Sequence, residues 1–258
     1  MKKFLAMLMA LLLLCSLVAC SNEEEGGEKG VNLTVTSQVE YVEVDGDQFE
    51  YERINGDEMA IVGFVGKTEP HAITIPNEIR ECPVTAIADH AFYSMTNITS
   101  VTIPEGVTVI GTFAFAGCSS MTAATLPASL KSVGDGAFAN CTYLTSITLP
   151  DGVTALGAKA FYNCKRLATV VLPEQLETIP AQCFMNCESL TGVTMKNNVK
   201  VIDKQAFSAC KALATLTYST ALTNIADLAF ANSGLTAPTL SGVTISANAY
   251  YKQAPVTE

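Results

Sequence analysis

The sequence predicts a β-rich solenoid: short coils of equal length stacked so that neighbouring strands form a parallel sheet. Three observations predict it. Phenylalanine recurs at Phe92, Phe115, Phe138, Phe161, Phe184, Phe207 and Phe230, always 23 residues apart, which takes up seven of the 11 phenylalanines. Other residue types keep the same step. Cys118, Cys141, Cys164, Cys187 and Cys210 follow the phenylalanine by three, with Met95 and Ser233 in that slot at the two ends. Between one phenylalanine and the next lies an alternating run that reads as a strand. A fixed period of this length means units that bury their apolar side chains against their neighbours.

Residues 1–19 read as a signal segment. Lys2 and Lys3 precede an uncharged run from Phe4 to Ala19, the length of a signal-peptide core and short for a membrane span. Its end, Leu17-Val18-Ala19-Cys20, resembles a bacterial lipobox, in which the cysteine is acylated and the peptide before it removed. An ordinary secretory signal or a short anchor helix is the alternative. Two acyl chains on Cys20 would hold the protein to a bilayer where one would not. Loss of Lys2 and Lys3 would take the formal charge from −10 to −12. Residues 20–30 then read as an acidic flexible tether, since Ser21 to Gly30 has almost nothing to bury.

Residues 31–67 are expected to form an N-terminal cap, because an open coil would expose core. Phe49 to Arg53 and Met59 to Val65 flank Ile54-Asn55-Gly56-Asp57, a hairpin signal. Residues 68–241 carry the repeats. In the clearest copy, Leu144-Thr145-Ser146-Ile147-Thr148-Leu149-Pro150, the apolar Leu144, Ile147 and Leu149 point inward while Ser146 and Thr148 point outward. The proline has no N–H to continue a ladder and closes the strand. Asp151-Gly152 turns the chain, Val153 to Leu156 forms a second extended piece, and Ala158 to Cys164 is expected to make a short helical turn. Neighbouring strands would lie about 4.8 Å apart. The register slips by one at Leu235, and residues 242–258 are expected to form a C-terminal cap or tail.

These residues resemble the leucine-rich repeat, in the 23-residue bacterial class found in BspA-like surface proteins. The motif here is LTSITLPDGVTALGAKAFYNCKR, and the resemblance covers residues 68–241. Five extra residues in the first copy, Ile79 to Pro83, match an insertion that often opens such arrays. The resemblance implies a leucine-rich-repeat solenoid on the outside of a bacterial cell, and it implies attachment to host or neighbouring-cell proteins.

Chemistry finds little support in the pattern. The ladder cysteines and Cys183, which takes an alanine slot, read as small buried hydrophobes rather than metal or redox groups. Stacked thiols point in parallel, which favours free cysteines; Cys82 is off the register and open to pairing elsewhere. Asn140, Asn163 and Asn186 are expected to hydrogen-bond the backbone where the chain turns. His71 and His90 sit in no catalytic motif, and Asp45, Asp47 and Asp57 read as an acidic turn without calcium-loop spacing. We therefore expect no enzyme, no cofactor and no metal.

The outward strand positions are small and uncharged. They include Ser100, Thr102, Thr125, Ser146, Thr148, Thr169, Thr194, Thr215 and Thr217, interrupted by Ala123, Val171 and Gly192. Threonine suits any strand with one exposed face. As a site, this row would be a low-relief face for a protein or glycan partner, with Tyr143 the aromatic beside it. A charge of −10 argues against nucleic acid, which needs a basic patch. The expectation is a lipid-anchored, extracytoplasmic, monomeric binding module for protein-protein interaction or adhesion, with host matrix or neighbouring-cell proteins as candidate partners. The alternative is a non-adhesive envelope scaffold or an accessory subunit of a surface complex.

Overall fold

A computed structural model of the protein describes residues 40–253. The predicted signal segment, Cys20 and the acidic tether lie outside the described residues.

The cap is an antiparallel meander of β1 (Glu40–Val44), β2 (Asp47–Ile54) and β3 (Glu58–Val65). The expected hairpin is β2–β3. Strand β1 is an addition, joined to β2 by Asp45-Gly46, both with positive φ (53° and 82°), the signature of a two-residue hairpin turn. Strand β3 then pairs in parallel with Cys82–Ile87, so the cap sheet runs directly into the solenoid. The five-residue insertion is a miniature hairpin: Glu78–Ile79 pairs with Cys82–Pro83 around Arg80 and Glu81, both left-handed.

Each coil then has three sides. The main sheet holds seven parallel strands in sequence order, from His71–Thr74 to Thr215–Thr217. The second side carries two-residue strands such as Val109–Ile110 and Ser132–Val133, continuous with the cap as far as Ala155–Leu156. A separate four-stranded sheet takes over from Thr178–Ile179 to Thr244–Ile245. The break has a covalent cause. Gly157 N–H donates to the Val133 carbonyl (2.7 Å) and Asp203 N–H to that of Ile179 (3.0 Å), but Pro180, in the same slot, has no proton to offer Leu156. Gly134 and Gly157 share this slot because a Cβ on Gly157 would lie 2.2 Å from the Asp135 nitrogen of the coil below.

The third side corrects one expectation. Ala158 to Cys164 makes no helical turn, and no helix occurs among the described residues. Instead the residues two before and two after every phenylalanine of the array are left-handed, for example Lys159 (φ 60°) and Asn163 (φ 59°). A left-handed residue every four positions prevents a right-handed helix from propagating. Alternate N–H groups turn back three residues, as Cys164 does to Phe161 (3.3 Å). The others reach the next coil, as Phe161 does to Cys183 (2.9 Å). The asparagines are explained by this geometry. Asn140, Asn163 and Asn186 occupy the second left-handed position, which asparagine tolerates better than most residues. Their side chains do not cap the backbone: Asn163 Nδ2 donates to Asn140 Oδ1 (2.8 Å), and Asn186 Nδ2 reaches the Tyr162 hydroxyl (3.5 Å).

Inside, the seven phenylalanines form one continuous spine. Successive rings are 4.8–5.6 Å apart and 3–8° from parallel. Phe64 of the cap meets Phe92 at 5.2 Å. Tyr250 stacks on Phe230 at 4.9 Å, after an interval of 20 residues instead of 23, so residues 242–253 add a shortened coil. Its hydroxyl meets that of Tyr218 (2.9 Å), and burial pushes both phenols up. The cysteine ladder runs beside the rings. Each ladder thiol donates to the carbonyl of the phenylalanine one coil below, at 3.1–3.2 Å. All five are free and buried, as is Cys183. Burial holds Cys118, Cys164 and Cys210 up at about 12, far from the reactive thiolate.

A candidate binding face on the main sheet

Strand alternation puts Val101, Ala124, Ile147, Val170 and Val193 into the core and their neighbours outward. All nine residues singled out from the sequence lie along the main sheet. Ser100 is partly covered and the other eight are exposed. One row is continuous from coil to coil: Ser100 opposes Ala123, then Ser146, Thr169, Gly192 and Thr215 follow. The second row is not. Thr102 opposes Thr125, and Val171 opposes Thr194, which opposes Thr217, but Thr148 has no strand partner on either side.

The face itself carries no charge, and several charges at its borders are engaged within the chain. Glu105 accepts N–H bonds from Ala128 (2.9 Å) and Ser129 (3.2 Å) of the next coil, which lower its pKa. Asp151 is paired with Lys196 at 2.5 Å, which holds its carboxyl below the usual range. Lys211 meets Glu188 at 3.2 Å. Tyr143 is 47% exposed, yet the Arg166 guanidinium lies over its ring at 3.9 Å.

Sequence reasoning missed a structural use of threonine. Thr122, Thr145 and Thr191, just ahead of the strands, donate their hydroxyls to the carbonyls of Thr99, Thr122 and Ala168 one coil below (3.1–3.2 Å). Thr215 of the candidate face likewise reaches the Thr191 carbonyl (3.4 Å). These hydroxyls tie coils together; the period marked the positions but not where each hydroxyl points. The acidic turn was misjudged as well. Asp47 is only 3% exposed and accepts from Lys67 N–H and from His71 Nε2, both at 3.0 Å. It clasps the cap to the first strand of the main sheet. Among the described residues no cluster of three or more His, Cys, Asp or Glu could hold a metal ion.

A family model for the BspA type leucine rich repeat region matches six copies, over residues 64–187 and 132–257. The chain belongs to the BspA-type leucine-rich repeat family. Among solved structures it is similar to the leucine-rich repeat protein of T. pallidum: 28% identity, TM-score 0.65, 69% of this chain and 82% of that one covered. It is similar to a leucine-rich repeat protein from Bacteroides ovatus at 25% identity and TM-score 0.58, covering 76% of this chain and 59% of that one, so it spans less than two thirds of that protein. A Eubacterium ventriosum leucine-rich repeat protein, 23% identical with TM-score 0.50 over 69% of this chain and 62% of that one, shares the fold. No curated protein matches the chain. As a BspA-type repeat protein, it is a repeat-based binding module by family and architecture.

Proposed function

We propose that the protein is exported, anchored through acylated Cys20, and holds a protein partner on the main-sheet face outside the cell; it is not an enzyme. The observation that carries this reading is the uncharged row from Ser100 to Thr217, on a sheet where the bordering Glu105 and Asp151 are engaged within the chain. A low-charge surface made of small side chains lets a partner approach without desolvating fixed ions.

Two experiments test it. Lysines at Thr125, Thr148 and Thr194 are expected to abolish partner capture from cell-surface extracts while leaving the melting temperature within a few degrees. Unchanged capture would move binding to the loops. Host matrix proteins among the captured partners support adhesion, and envelope proteins of the same cell support the scaffold reading. For the anchor, Cys20→Ser is expected to shift the protein from the membrane fraction to the soluble one.

A further inference from the structure

We propose that the turn side of the first coils carries a second contact site, which takes an arginine side chain of a partner protein on the rings of His90, Tyr93 and Phe113 and the neighbouring carboxylates of Asp89 and Asp135. This site lies on a different side of the solenoid from the main-sheet face and does not depend on it.

The slot two residues before each phenylalanine is outward and left-handed. Lys159, Gln182 and Gln205 fill it in the middle of the array, so stacking asks for nothing apolar there. The first two coils fill it with His90 and Phe113, whose rings lie 5.5 Å apart. Tyr93 stands 5.6 Å from His90 and is 53% exposed. Phe113 holds φ 53°, a backbone state uncommon for a bulky side chain. Its ring lies across Gly136, where a Cβ would come within 2.3 Å of it. The ring is thus seated on the outside of the coil and only half-buried, while His90 is exposed.

Asp89 precedes His90 in the chain, and Asp135 precedes Gly136 under the Phe113 ring. The fold uses one oxygen of each. Asp89 Oδ1 accepts from Thr112 N–H (2.6 Å) and Asp135 Oδ1 from Ala158 N–H (2.7 Å). Phe113 N–H donates to the Asp135 main-chain carbonyl (2.8 Å), which sets this ring's backbone beside the second acid. Among the described residues neither carboxylate pairs with a cation, and their Oδ2 atoms accept no hydrogen bond. Both carboxylates and Thr112 line one depression of about 440 Å³ where the second side meets the turn side.

Exposed aromatic faces beside unpaired carboxylates fit a guanidinium, which stacks on rings and donates to carboxylates in one plane. The molecule contains that combination already completed. Arg80 lies over the Tyr51 ring at 5.7 Å and meets Glu40 at 3.0 Å. At Asp89 and Asp135 the rings and acids are assembled, and no arginine or lysine of the chain pairs with them among the described residues. The formal charge of −10 draws a basic partner surface toward the site.

The test is an NMR titration of the protein with acetyl-glycyl-arginyl-glycine amide and with its citrulline counterpart, which keeps the shape and loses the charge. The arginine peptide is expected to shift the Tyr93 and Phe113 ring resonances saturably, with a dissociation constant of about a millimolar. Citrulline is expected to bind at least about tenfold more weakly, as is the arginine peptide to a variant with Asp89→Asn and Asp135→Asn. Asparagine keeps an oxygen for the Thr112 and Ala158 N–H groups, and a melting curve checks that the variant folds. Thr148→Lys, on the main sheet, is expected to leave binding unchanged. An equal response to citrulline, no saturable shift at these rings, or an equal response to methyl glucoside would each overturn the assignment. The comparison of the two peptides on the unaltered protein decides the matter even if the double variant fails to fold.

Discussion

The turn side and the two strand sides of this solenoid are built on the same period but held differently. On the turn side, every phenylalanine from Phe92 to Phe230 donates its N–H to the next coil at 2.7–2.9 Å, without exception. The main sheet loses its ladder on both flanks of Ser146–Ile147, and the second side loses it at Pro180. Both interruptions involve the same coil, yet the Phe138, Phe161 and Phe184 rings pass through it at 5.6 and 5.4 Å like the rest. The comparison teaches that the spine and the turn ladder set the stacking. The strand sides are left free to vary without unwinding the array, which is what the proposed binding face requires.

The largest test of that contrast is a pair of truncations. Phe161→Ala removes a fully buried ring from the middle of the spine and is expected to cost about 3–5 kcal/mol in urea unfolding. Thr148→Ala, on the strand side of the same coil, is expected to stay within about 0.5 kcal/mol. Equal losses would show that the two sides share the load.

The thiol ladder sharpens the comparison through pH. Burial keeps the Cys118, Cys164 and Cys210 thiols protonated up to about 12, whereas an unfolded chain loses those protons near 9. The linked stability is whole below about pH 9 and drains away as pH rises toward 12. Each such thiol contributes up to about 1.4 kcal/mol per pH unit in that window. Urea midpoints between pH 8 and pH 10.5 are expected to fall steeply, and Cys164→Ala is expected to flatten the slope by one thiol. A flat profile would contradict the buried ladder.

A smaller loss than that of the spine is expected at the turn. Asn163→Ala places a Cβ-bearing residue without asparagine's tolerance at φ 59° and is expected to cost about 1 kcal/mol. Asn163→Gly is expected to be close to neutral. Thermal melts of the two variants check this, and equal behaviour would show that the asparagine acts through its side-chain contact with Asn140.

Much of this architecture could be read from residue spacing, for a physical reason. A coil that must bury the same atoms as its neighbour repeats the same residues, so Phe161, Cys164 and Leu156 each announce a buried position. The cap hairpin was visible because Asn55-Gly56 is a strong local turn. What spacing could not show is backbone direction. Nothing in Lys159 or Gln182 marks a left-handed residue, so spacing alone predicts a helical turn on the turn side. Asp47 looked like a surface acid because its partner, His71, lies 24 residues on and meets it only after the cap folds back. For the candidate face, the outward row was legible from alternation. The ladder gaps beside Thr148 were not, because the residues there are typical of every other coil.

The measurement that bears most directly on the account is amide hydrogen exchange over residues 103–172, resolved residue by residue. The account predicts that Phe138 and Phe161 amides are protected to the limit of global unfolding, while Leu126 and Leu149 exchange far faster than Ile103 and Leu172 in equivalent positions. Equal protection of all four leucine and isoleucine amides, or early exchange along the phenylalanine series, would contradict it.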